Sequence, residues 1–178
     1  GLICLWALIH TGIDNRRYAI NQLLQESRTI QSLQHSKHQN IQLFQLSGFK
    51  DPSLYNQGTQ VYLEDYKSQN RLVLERLERL DLRAENLKIS LLKLPALEEQ
   101  ITQISDSVNQ LVELYRRRGF KDYGLEGTMR TIAHTIEADQ SIKPEEYLML
   151  RRHEKDFINR LEWVYVKRFN DYYLELRK

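Results

Sequence analysis

The sequence predicts an all-α fold, an elongated antiparallel up-down-up-down four-helix bundle with a break in the third helix. Three observations predict it. Seven glycines and three prolines in 178 residues are too few breakers for an all-β domain, which needs a turn every 8–12 residues or so. The apolar period between the breakers is helical throughout. The breakers also fall in four places, around Pro52, at Pro95, over 119–127 and at 139–144, and so divide the chain into segments of similar length.

The first segment carries Ile13, Ile20, Leu24, Ile30, Leu33, Ile41 and Phe44 at steps near three, four or seven, which places them on one stripe of a helix over 3–47. The second, 60–94, is a heptad seam of Leu63, Tyr66, Asn70, Val73, Leu77, Leu80, Ala84, Leu87, Leu91 and Leu94, with Asn70 its one polar member. Pro95 suits a first turn, so a third helix begins there with Leu97, Ile101, Ile104, Val108, Leu111 and Tyr115 inward. Arg116, Arg117 and Arg118 before Gly119 fit a helix C-terminus. The rod resumes to residue 138 after a break near 119–124, with Leu125, Met129, Ile132 and Ile136 inward. Ser141 or Lys143 caps the last helix, 144–178, and Pro144 stands in its first turn. Its inner line is Tyr147, Leu150, Glu154, Phe157, Leu161, Tyr165, Phe169, Tyr172 and Leu176. Each rod spans about 50–65 Å at roughly 1.5 Å per residue, and equal rods joined by short turns pack as a single bundle domain over 1–178.

Composition narrows function. A net charge of +2 from 26 basic and 24 acidic side chains supplies no field to gather nucleic acid. A single cysteine, Cys4, excludes an internal disulfide or a CxxC site. Phosphate-binding glycine loops, HExxH and the Glu-x-x-His of di-iron bundles are all missing, so no enzyme, metal or cofactor site is expected. His35 and His38 could meet on one helix, but two imidazoles leave a metal site incomplete. Residues 1–13 hold only His10 and Thr11 as polar members, which reads as a buried first turn or as the last turns of a membrane span.

Two polar features interrupt the apolar stripes. Lys37 falls on the line of Ile30, Leu33, Ile41 and Phe44 within a glutamine-rich stretch; either this is a solvated face, or a polar pocket where a buried lysine needs an anionic partner. Glu154 falls between Leu150 and Phe157, where an ionised carboxylate needs a cation, and Arg130 and His134 on the preceding helix are the candidates. The cluster is either an internal ion-pair network fixing helix register or a site for a small anion. The candidate ligand-binding residues are Arg130, His134, Arg151, Arg152, Glu154 and Lys155. The aromatic stripe of Trp163, Tyr165, Phe169, Tyr172 and Tyr173 reads as core, with membrane-interface anchoring as the alternative.

Residues 123–137, YGLEGTMRTIAHTIE, resemble the GL-x-G-x-x-R-x-x-x-H-x-x-E segment of helical bimodular sensor domains, the extracytoplasmic all-helical domains of bacterial chemoreceptors and sensor histidine kinases. Residues 148–160, LMLRRHEKDFINR, are similar to the LMxRRxEKDFxxR segment of the same family, in the same order and at a close spacing. The resemblance implies a periplasmic domain of an inner-membrane protein, set between two membrane spans. It implies a homodimer that binds a small molecule such as an organic acid between its helices and signals to a cytoplasmic output module. The family continues with a further helical pair, so the chain is expected to be truncated or compact. The rival expectations are a structural or protein-interaction bundle without a small-molecule ligand and, more remotely, a metal or cofactor enzyme.

Overall fold

The computed structural model describes residues 2–91, 93–139 and 142–177, with side chains from residue 10 onward. Among these residues the chain is all-α, with no strand. The helices are α1 (Leu2–Leu46), α2 (Pro52–Asn56), α3 (Val61–Asn86), α4 (Leu94–Arg118), α5 (Gly124–Glu137), α6 (Pro144–Arg160) and α7 (Trp163–Leu176). None is long and apolar enough to cross a membrane among the described residues. The side chains of 1–9, most of the apolar start, lie outside that description.

The chain divides into two compact units. The first comprises Gly1–Gly48 and Thr59–Gln110. Here α3 lies along α1, and α4 joins through side chains: Ile30, Val73, Leu77, Leu94 and Ile101 form the core, flanked by Leu33, Leu74, Leu80 and Leu91. Glu26 of α1 and Arg76 of α3 meet at 2.9 Å and tie the two long helices together. The α1 end is closed by Gly48, where an added Cβ would stand 2.9 Å from the Phe44 ring and 3.0 Å from the Gln60 side chain. Gln60 in turn caps α3 by accepting from the amides of Tyr62 and Leu63.

The expected heptad seam is largely realised, with Leu63, Tyr66, Val73, Leu77 and Ala84 buried. The helix stops at Asn86, short of the expected residue 94, as Leu87 caps it and Lys88 turns with φ 57°. α4 begins at Leu94, which puts Pro95 in its first turn, where a missing N–H costs nothing.

The second unit comprises Phe49–Gly58 and Leu111–Lys178. Its core joins Met129, Ala133 and Ile136 of α5 with Leu150 and Phe157 of α6 and Tyr165, Val166 and Phe169 of α7. The expected break in the third rod is present, between Arg118 and Gly124. The fourth rod is corrected: 144–178 is not one helix, because α6 ends at Arg160 and α7 starts at Trp163. Leu161 closes α6 in the left-handed region (φ 59°), its N–H donating to the Phe157 carbonyl at 2.8 Å. Folding at Leu161 lets α6 and α7 bury Phe157, Val166 and Phe169 in one core, which outweighs the roughly 1 kcal/mol of a left-handed leucine. Tyr165 and Phe169 are core, Tyr172 and Tyr173 pack against it, and Trp163 is 54% exposed.

Candidate functional site

Two polar constellations are built into the units, one in each. In the second unit the site starts from glycines. Gly119 (φ 84°) and Gly124 (φ 60°) fold the 119–123 loop back onto α5, and at Gly127 an added Cβ would fall 2.1 Å from the Asp122 carbonyl carbon. That approach brings the Lys121 amide within 3.2 Å of Glu126 Oε1, so Glu126, at 5% exposure, caps the loop from inside. One turn on, Arg130 lies 3.3 Å from Glu126 and 3.5 Å from Glu154 Oε1 on α6. Glu154 Oε2 accepts from Arg151 at 2.7 Å.

Glu126 and Glu154 face Arg130 and Arg151, so the buried charge sums to zero, with the exposed Asp122 at the margin, 3.9 Å from Arg130. Both carboxylates have cations and hydrogen bonds, the condition under which burying them is tolerable. This joins α5 to α6 at a fixed register.

Three of the six sequence-derived site residues, Arg130, Arg151 and Glu154, therefore meet. The other three face solvent. His134 pairs with Glu137 on its own helix at 3.4 Å and is 58% exposed, so it does not neutralise Glu154. Arg152 is 72% exposed and 4.0 Å from Asp156, and Lys155 is exposed. Glu126 was not among the residues expected inside; its only sequence signal is its place four residues before Arg130 on one helix face.

His153 has its Nδ1 buried without a hydrogen-bond partner. Burial and the nearby Arg168 and Arg152 hold its pKa below the ordinary histidine value, against the pull of Asp156.

In the first unit Lys37 is 3% exposed. Its ammonium donates to Asn70 Oδ1 and lies 5.2 Å from the centre of the Tyr66 ring. One turn along, Asn40 donates to Gln69 Oε1 at 3.1 Å and Gln69 donates to Ser36 at 2.8 Å. Burial pushes the Lys37 amine down to about 8. The Tyr66 hydroxyl is buried beside Ser105 of α4 without a hydrogen bond of ordinary geometry. Asn70 also lines an open groove of about 700 Å³ with Leu74 of α3 and Ser105 and Asn109 of α4.

His35 and His38 each contact a glutamine one turn ahead, Gln39 and Gln42, rather than each other. No group of three or more metal-ligating side chains gathers among the described residues. No family model, curated protein or solved structure matches the chain.

Proposed function

We propose that the chain is the extracytoplasmic ligand-sensing domain of a bacterial transmembrane signal-transduction receptor, a sensor histidine kinase or a methyl-accepting chemotaxis protein, responding to a small anion. One observation carries the reading. The two stretches that resemble helical bimodular sensor domains, 123–137 and 148–160, coincide with α5 and α6, and their charged residues Arg130 and Glu154 meet across the helix pair. In this reading the domain is periplasmic, flanked by membrane spans, homodimeric, and neither enzymatic nor cofactor-dependent.

The mechanism follows from charge balance. Arg130 and Arg151 are already occupied by Glu154, so an anion binding there competes with that carboxylate and loosens the link between α5 and α6. His134, Arg152 and Lys155, exposed on the same helices, would supply attraction at the margin. Such an exchange favours a different placement of the helices, which is the form a signal can take in a packed bundle.

The complete reading frame tests the class: spans on both sides and a cytoplasmic kinase or methyl-accepting segment are expected, and a frame without spans contradicts it. The same charge balance favours a second reading, a protein-interaction bundle in which the cluster only sets register. Titrating small organic acids into the intact protein and into the apolar pair variant (Arg130→Met with Glu154→Leu) separates them. Under the sensing reading the unmodified protein binds an anion and the variant does not; under the register reading neither binds one, and the variant differs only in stability.

A further inference from the structure

We propose that the pocket beside the α6–α7 turn of the second unit docks an acidic segment of a partner protein, which inserts one bulky apolar side chain against Leu161 and Trp163 and sets its carboxylates on Arg117 and Arg118. The pocket shares no residue with the Arg130 cluster, so it stands or falls independently of the receptor reading.

The starting point is Leu161. It closes α6 at φ 59°, a conformation that glycine adopts freely and leucine does not. Burial of its side chain does not offset this, for the residue is half-exposed. That side chain instead lines a pocket of about 270 Å³, with Leu114, Arg117 and Arg118 of α4, Phe157 of α6 and Trp163 of α7. Strained backbone kept where a glycine would serve is a feature of binding sites. Of the apolar walls just named, Phe157 is buried, whereas Leu114, Leu161 and Trp163 stand exposed and form one unpartnered apolar surface. The volume lies below the roughly 300–1,000 Å³ of small-molecule sites and suits a single leucine or aromatic side chain. Tryptophan and arginine around such a pocket are the residue types that carry most of the energy in protein interfaces.

Charge identifies the chemistry of the partner. The Arg117 guanidinium lies 4.8 Å from the centre of the Trp163 ring, and that of Arg118 lies 5.5 Å from the centre of the Phe49 ring. Neither makes an ion pair among the described residues, and Arg118 Nε is buried without a hydrogen-bond partner. The neighbouring Arg116, by contrast, is taken by Glu113 at 3.1 Å. No acidic side chain among the described residues lines the pocket. Two guanidiniums held by aromatic faces rather than by carboxylates are placed to receive carboxylates from outside. Shape argues against a lipid surface, because a bilayer takes in side chains that protrude, whereas this apolar surface is concave. The exposed Glu162, between Leu161 and Trp163, would also oppose an anionic membrane.

The test titrates the peptide acetyl-EDEFEDE-amide at pH 7 and low salt into the 178-residue chain carrying Trp6→Phe, which leaves Trp163 as the sole tryptophan. A saturable change in Trp163 emission is expected. Replacing the peptide's phenylalanine by alanine, or its acids by lysine and arginine (acetyl-KRKFKRK-amide), should weaken binding by about tenfold or more. Arg117→Glu should weaken the acidic peptide by a similar factor. Leu161→Gly is the second variant: it relieves the left-handed backbone and keeps the fold, yet should weaken the peptide by about fivefold or more. Absence of a saturable change, equal affinity in a variant that circular dichroism shows to be folded, or a basic peptide bound as tightly each overturns the proposal. A blue shift with phosphatidylglycerol vesicles and none with the acidic peptide overturns it in favour of a lipid surface.

Discussion

Arg130 Nε on α5 lies 3.5 Å from Glu154 Oε1 on α6, and the same guanidinium reaches Glu126 one turn back at 3.3 Å. Arg130 is thus the cation shared by two carboxylates whose side chains are only 6% and 4% exposed. Arg130→Met should destabilise the chain by about 3–5 kcal/mol, because it leaves buried charge unpaired. Adding Glu154→Leu should recover part of that loss, giving a coupling energy of at least ~1 kcal/mol in a urea-denaturation double-mutant cycle. Arg152→Ala, at an exposed pair, should change stability by less than about 0.5 kcal/mol.

Gly127 sets the loop that places Glu126. A Cβ there would meet backbone atoms of Asp122 at 2.1 and 2.2 Å, and backbone cannot move aside as a side-chain tip can. Gly127→Ala should cost roughly 2–4 kcal/mol, despite the better helix propensity of alanine. Amide hydrogen exchange should show Lys121, whose N–H bonds Glu126, losing protection first.

His153 makes the fold acid-sensitive. Its folded pKa is depressed by burial and by Arg168 and Arg152, with Asp156 opposing, so the folded state prefers the neutral ring. Below the ordinary histidine value of about 6.5 the unfolded chain takes up the proton more readily, and stability falls as pH falls through that window. His153→Gln should show a shallower loss of urea-midpoint stability between pH 7 and 5 than the unmodified chain.

Lys37 acts with the same sign at higher pH. Its folded pKa of about 8 lies below the ordinary 10.5, so between those values the unfolded state holds more protons and stability rises with pH. Lys37→Met should therefore be more stable than the unmodified chain at pH 7, by on the order of 2–3 kcal/mol, with the gap closing by pH 10.5. Since Lys67, Arg71, Glu75, Glu78 and Glu98 of the groove are present in both proteins, the difference isolates Lys37.

The helical class, the break after Arg118, the helix start beside Pro95 and the burial of Glu154 were legible, because each depends on a local signal or on period; for Lys37 the period left a solvated face and a buried pocket both open, and the structure buries it. The turn at Leu161 was not. No glycine or proline marks it, and the periodic line from Tyr147 to Leu176 runs straight through; packing of Phe157 and Phe169 against α5 decides it. The pairing of Glu154 with Arg151 rather than His134 also lay beyond a helical wheel, which places residues on a face but not side chains at 2.7 Å. Lys37 and Asn70 each stood out as a polar interruption of an apolar line. That they were one another's partners became visible only when α1 and α3 were laid side by side.

Among the described residues the buried Lys37 ammonium has no acidic side chain beside it, whereas the buried Glu126 and Glu154 are met by Arg130 and Arg151. Carbon-13 NMR of lysine Cε, followed from pH 6 to 11, measures this directly. One lysine should titrate near 8 and vanish from the spectrum of Lys37→Met. If all lysines titrate together near the ordinary value of about 10.4, the Lys37 ammonium is not desolvated, which contradicts its burial between α1 and α3.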